Sequence, residues 1–246
     1  MHAPCSCGEG EGPLSYDTID ILVRILAVVL VTCSASIHEF GHAYMAHLLG
    51  DDTAKEQGRM TINPLAHIDP FGSVLLPLLL SLTGSGYLAY AKPVPYNPNR
   101  LRNPQRDDAL VALAGPLANV IQALVGAVAY RACLMLLYHD AAAPYYLYYI
   151  DSDPVAWLPL ALQLYVQVNC SLAFFNLLPL PPLDGSKLII PFLKGDARRN
   201  YYKVQHYALP ITFALIWLVP DVLGIDPLGM WLDLTAGNLE TLLLGW

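Results

Sequence analysis

Charge is what this sequence has least of: Lys, Arg, Asp and Glu make up only 13% of its 246 residues, against 55% hydrophobic. A soluble domain carries roughly twice that share of charge, about 25%, so water is excluded as the main surrounding of this chain. The charge that is present sums to −7, which removes the basic footprint that nucleic-acid binding needs. Cysteine is also too sparse and too buried in pattern to make a disulfide framework. Cys33, Cys133 and Cys170 sit in apolar runs as small hydrophobes, while Cys5 and Cys7 form an isolated Cys-x-Cys near His2. The opening MHAPCSCGEGEGP has neither the basic nor the apolar region of a cleavable signal, so the first apolar helix is expected to serve as its own targeting signal. No internal repeat stands out, in contrast to the paired halves of many transporters.

Long apolar runs are there instead, several reaching the ~18 residues expected of a membrane span. The reading is an all-α polytopic membrane protein, with a flexible lead over 1–18 and a single membrane-embedded domain over 19–246. A first helix is expected from Ile19 to Leu49, stopped by Gly50-Asp51-Asp52. Thr53 to Pro70 reads as a loop or short strand. Phe71 to Tyr90 is apolar but broken by Pro77 and Gly84-Ser85-Gly86, and the stretch to Tyr96 is extended because of Pro93 and Pro95. Further helices are expected over Asp107–Tyr138, Ala156–Leu178 and Gln205–Val219. A basic loop from Lys187 to Lys203 precedes the last of these, and an apolar segment from Leu228 to Leu244 closes the chain.

Within the first apolar run, Ser34 to His47 is polar and contains His38-Glu39-Phe40-Gly41-His42, the H-E-x-x-H pattern. Residues four apart share a helix face, so both imidazoles can reach one ion. Glu39 then stands beside that ion and can take a proton from water bound there. The bland alternative is a polar seam in which the three groups satisfy one another between helices. Ionisable groups at membrane depth are costly unless something uses them, which favours the metal. His47 lies off this face and reads as structural.

Catalytic zinc keeps three protein ligands and one open position, so a third ligand is required. Asp184 is the candidate. It follows a helix that Pro179, Pro181 and Pro182 must terminate, and unwound backbone at membrane depth is tolerated only inside protein or beside a water-filled cavity. A plain Asp-Gly turn closing a helix is the alternative. Charge placement bears on the choice. Apart from Arg24 and Arg131, every Lys and Arg falls within 50–107 or 185–204, and residues 139–155 carry none. By the positive-inside rule both basic stretches are cytoplasmic. The first and third long helices then run parallel, with His38, His42 and Asp184 near their cytoplasmic ends. A single crossing by residues 71–91 would break that arrangement, so a re-entrant hairpin is expected there.

HEFGH on the first core helix, AGPLAN on the next and NLLPLPPLDG on a third resemble the site-2 protease family of intramembrane zinc metalloproteases. The likeness is to its compact prokaryotic members without a PDZ domain, which the phrases NPLAHIDPFG and AKPVP also resemble, and it runs from about residue 19 to 204. It implies one Zn²⁺ per chain on His38, His42 and Asp184, with Glu39 as general base. It implies hydrolysis of a peptide bond in or near the transmembrane segment of a membrane-protein substrate, within the lipid bilayer. A prokaryotic plasma membrane is the expected location, with the active site toward the cytoplasmic side. Asn176 should sit over the scissile carbonyl as a second catalytic group or help orient the substrate, interhelical hydrogen bonding being the alternative. Gly115 and Pro116 allow close helix approach, and Asn119 is either polar glue or part of substrate binding or gating. The stretch from Tyr87 through Ala91 to Val94 either holds an unwound substrate by strand addition or is a plain interface strand. His67 and Asp69 reach over the site, gate it, or pair to fix their loop. A transporter and a chaperone-like metal-binding relative are the rival functions; the first would show repeat symmetry, and the second would have lost a ligand or the base.

Overall fold

The computed structural model describes residues 16–69, 72, 92–139, 154–205, 207–214 and 218–245. The expected re-entrant hairpin over 71–91, Tyr87 and Ala91 among it, lies outside the described residues. The protein is an all-α membrane protein, with no strand among the described residues. Among the described residues, three helices are long and apolar enough to cross a bilayer: α1 (Tyr16–Leu48), α3 (Pro104–Tyr138) and α4 (Trp157–Asn176). A short α2 (Thr53–Glu56) lies between the first two.

Their outer faces carry Ile21, Ile25 and Val29 on α1 and Ile121, Leu124, Val125, Val128 and Leu136 on α3, all exposed. Such apolar stripes suit lipid, in which backbone groups must be satisfied within the helix itself. The inner seams are built from small residues. Ala43 and Ala46 of α1 and Ala112, Ala114 and Ala123 of α3 are buried, and such residues let helix backbones approach closely.

The order of contacts along the helices sets their directions. Ser34 meets Gln122 of α3 and Asn169 of α4, His38 meets Asn119, and His42 meets Val111. Numbers rise on α1 while they fall on α3, so these two are antiparallel. Beyond the Ser34–Asn169 contact, His38 and His42 reach Asp184 past the end of α4, so α1 and α4 are parallel. The two polar stretches that flank residues 70–91 also come together at the end of α1. Lys92 N–H donates to His67 O at 2.9 Å, Asn97 N–H to Asp51 at 2.6 Å, and Arg102 N–H to Leu49 O at 3.1 Å. Residues 50–69 and 92–103 therefore lie on one side of the bundle.

At the opposite half of the bundle an apolar core gathers Ala127, Tyr130 and Leu134 of α3 with Leu160, Val166 and Cys170 of α4. Helices near the C-terminus close over it. Trp231 Nε1–H donates to Phe174 O at 2.9 Å, and Arg131 to Leu243 O at 3.1 Å.

Some expectations change. The basic stretch Lys187–Lys203 is largely helical, as α5 (Gly185–Ile189) and α6 (Gly195–Gln205). The four-residue spacings Lys194–Arg198 and Arg199–Lys203 are as compatible with a solvated helix as with a loop. Thr53–Pro70 contains α2 and a 3₁₀ turn over Pro64–Ala66 in place of the short strand offered as one option.

Candidate metal centre

Just over one turn of α1 separates His38 from His42, which puts both rings on the face turned toward α3. Their side chains are 8% and 11% exposed, and that of Asp184 is 15% exposed. His38 Nε2 lies 3.1 Å from Asp184 Oδ2, His42 Nε2 lies 3.2 Å from the same oxygen, and the two Nε2 atoms are 3.0 Å apart. A tetrahedral ion with bonds of about 2.0–2.1 Å needs ligand atoms about 3.3 Å from one another. The triangle is close to that edge length.

The proton positions agree with a cation at its centre. His42 Nδ1 is 2.7 Å from Val111 O, and a carbonyl only accepts, so Nδ1 carries the hydrogen and Nε2 presents a lone pair. His38 Nδ1 is 2.5 Å from the side-chain oxygen of Asn119, with the same consequence. Two nitrogen lone pairs and a carboxylate oxygen thus point at one place. Such groups repel unless a cation lies between them, and two imidazoles with one carboxylate are a zinc donor set.

Space for this arrangement is made by two glycines. A Cβ on Gly115 of α3 would collide with His42 Nε2 and come within 2.6 Å of His38 Nε2. A Cβ on Gly41 would approach Ala114 O to 2.8 Å. Neither helix could sit where it does with a side chain at these places.

Glu39 faces the irregular stretch that leads into α3. Its Oε2 accepts the Val94 backbone N–H at 2.7 Å, and Val94 itself is buried with Ala43 and Ala54. Tyr96, two residues on, donates to the Asp108 carboxylate and accepts from Lys187 Nζ at 2.7 Å, which ties the stretch to the helix after Asp184. Burial and then Asp108 push the Tyr96 phenol far up, so it keeps its proton.

The other expected site residues fall at different distances from this centre. Asn176 ends α4, and its amide donates to Leu172 O at 2.9 Å. Asn119 is fully buried behind His38, facing the ligand ring. His67 is buried too, but its Nε2 is bonded to Thr61 O at 2.8 Å within its own loop, outside the three-ligand group. Asp69 accepts the Gly72 N–H at 2.7 Å. Tyr96, Lys187 and Asn169 were missed by sequence reasoning. For Asn169 a signal existed: an Asn in an apolar helix, seven residues before Asn176 and on the same face.

Comparison with known proteins follows the same lines. The profile described as peptidase family M50 matches residues 26–219. The chain is 34% identical over 220 residues to the "Putative zinc metalloprotease YwhC" of Bacillus subtilis, covering 88% of this chain and 89% of that protein. It is 30% identical over 205 residues to the "Putative zinc metalloprotease Rip2" of Mycolicibacterium smegmatis, covering 83% and 70%. An archaeal protein, the "Putative zinc metalloprotease MJ0611" of Methanocaldococcus jannaschii, is 27% identical over 176 residues, covering 71% and 74%. No solved structure matches the chain.

Proposed function

The chain belongs to peptidase family M50 and is a membrane-integral zinc metalloprotease of the site-2 type; from that premise we propose that it cuts a peptide bond in or beside the transmembrane segment of a membrane protein. The observation that carries this reading is the convergence of His38 Nε2, His42 Nε2 and Asp184 Oδ2 within 3.2 Å of one another. Those three side chains hold the zinc. Bound there, zinc would supply Lewis acidity toward water and toward the carbonyl under attack.

Glu39 is the general base. It receives the proton from the attacking water and hands it to the leaving nitrogen. The Val94 N–H fixes one of its carboxylate oxygens, which leaves the other for this proton. Asn176 stabilises the developing oxyanion through an amide N–H. A helical substrate hides its carbonyls in i to i+4 bonds, so it is unwound first, against the irregular backbone around Val94. The domain over 19–246 acts as one unit, with its centre toward the cytoplasmic side of a prokaryotic plasma membrane. The grouping of cations at the end of α1 and beyond α4 supports that orientation.

The test is a pair of substitutions. Glu39→Gln should lower cleavage of a membrane-protein substrate by about 10²–10⁴-fold, the usual worth of general-base catalysis, with one zinc per chain retained. Asp184→Asn should lose zinc as well as activity. A fully active Glu39→Gln protein would remove the base, and an Asp184→Asn protein with undiminished zinc would remove the ligand.

A further inference from the structure

Behind the metal ligands runs a buried line of amides that the chemistry above does not use. His38 Nδ1 meets Asn119 Oδ1 at 2.5 Å, Asn119 Nδ2 donates to Asn169 Oδ1 at 2.8 Å, and Asn169 Nδ2 donates to both Ser34 Oγ and Tyr165 O at 2.9 Å. Ser34, Asn119 and Asn169 are all 0% exposed. They come from three different helices, so the line crosses the whole core bundle.

This line has only two possible senses. A primary amide has a donor end and an acceptor end, and turning one over forces its neighbour to turn as well. In one sense Asn119 shows its oxygen to His38, whose proton then sits on Nδ1 and whose Nε2 lone pair is free. In the other, Asn119 shows its NH₂ to His38, the proton moves to Nε2, and that nitrogen can no longer bind a metal. The last link decides between them. Tyr165 O is a backbone carbonyl already in α4 and can only accept, so Asn169 must turn its NH₂ toward it and its oxygen toward Asn119. Ser34 Oγ can either donate or accept and so does not decide.

We propose that Asn169 is a positioning residue which, through Asn119, selects the His38 tautomer that leaves Nε2 open to zinc. The selection originates in the Tyr165 carbonyl, two side chains away from the ligand. This rests on the assignment of His38 as a zinc ligand, but it makes a statement about the metal-free protein as well. Without Asn169 the Asn119 amide is free to turn over, and half of its orientations close the metal site.

Two measurements on purified full-length protein test it. In ¹⁵N-histidine-labelled, zinc-free protein, the His38 nitrogen shifts should report the proton on Nδ1. Asn169→Leu, which keeps the volume but removes both ends of the amide, should give a mixture of the two tautomers. It should also weaken zinc binding, measured by competition with a chelator, by about 10–100-fold, the usual effect of removing the partner of a ligating histidine. Asn119→Asp provides the decisive background, because a carboxylate has no N–H to turn toward the ring. In that background Asn169→Leu should cost little further zinc affinity, whereas damage to packing would persist undiminished. Ser34→Ala should leave the tautomer unchanged.

A wild-type His38 protonated on Nε2 overturns the proposal without any variant being needed. So does an Asn169→Leu protein with unaltered tautomer and zinc affinity, or a loss of the same size in both backgrounds. Should His38→Ala bind zinc as tightly as the wild type, the metal assignment has failed instead, and the tautomer measurement still decides the role of Asn169.

Discussion

Gly115 is the residue whose identity is most tightly bound to the chemistry. It has no catalytic group, yet the two imidazoles occupy the volume its side chain would fill. Gly115→Ala is expected to push the ligand rings apart at a cost of about 1–3 kcal/mol, the usual range for overpacking. Zinc affinity should fall at least about tenfold by the same displacement, while far-UV circular dichroism stays that of the wild type. Unaltered zinc affinity in this variant would mean that the helices separate more readily than their packing suggests. Asn119 shows the same lesson in polar form. A motif asparagine open to several readings on sequence lies against the His38 ring, because α3 crosses α1 at that level.

At the scale of elements, the turn after α1 is held by one buried carboxylate. Asp51 Oδ2 accepts the Asn97 N–H at 2.6 Å, Oδ1 accepts the Thr53 N–H at 3.1 Å, and Arg100 stands 3.9 Å away. Burial alone would raise this carboxyl, but the Thr53 and Asn97 hydrogen bonds, with Arg100, set it below its ordinary value. The sign follows from linkage. A carboxyl depressed by folding contributes stability that is complete above its unfolded value of about 4 and is lost as pH falls through the folded one. Thermal unfolding followed from pH 6 to pH 3 should therefore show a decline in the wild type that is shallower in Asp51→Asn. At neutral pH that variant should be less stable by about 1–3 kcal/mol, the worth of hydrogen bonds to a buried charge. Parallel pH profiles for the two proteins would show that Asp51 is not the group responsible. The nearby Arg100–Glu56 pair, at 3.1 Å, is exposed on both sides and contributes little by comparison.

For the whole molecule, the arrangement of α1, α3 and α4 puts every polar stretch near the metal centre at one end. Arg102 is bonded to Leu49, Arg100 to Glu56, and Tyr201 of α6 to Ser186 just past Asp184. Single-cysteine variants Lys55→Cys, Arg102→Cys and Lys203→Cys should accordingly react with a membrane-impermeant thiol reagent from one face only, the cytoplasmic one. Modification of any of them from the opposite face would break the topology on which the parallel α1 and α4 depend.

The sequence alone determined the class of protein and the chemistry. Low charge and long apolar runs put the chain in a bilayer, and His38, Glu39 and His42 share a helix face by local geometry, whatever else surrounds them. Even the grouping of the distant Asp184 with the two histidines was accessible through the count of ligands zinc requires and the placement of cations, because both are properties of residue types. What only the tertiary structure decided is how those three side chains are held. The turning sense of Asn119, its dependence on Asn169 and the Tyr165 carbonyl, and the clearance at Gly115 arise where α1, α3 and α4 cross. Hydrogen-bond direction and contact distance between residues 50 or more positions apart have no periodicity to betray them. They exist only once the helices have packed.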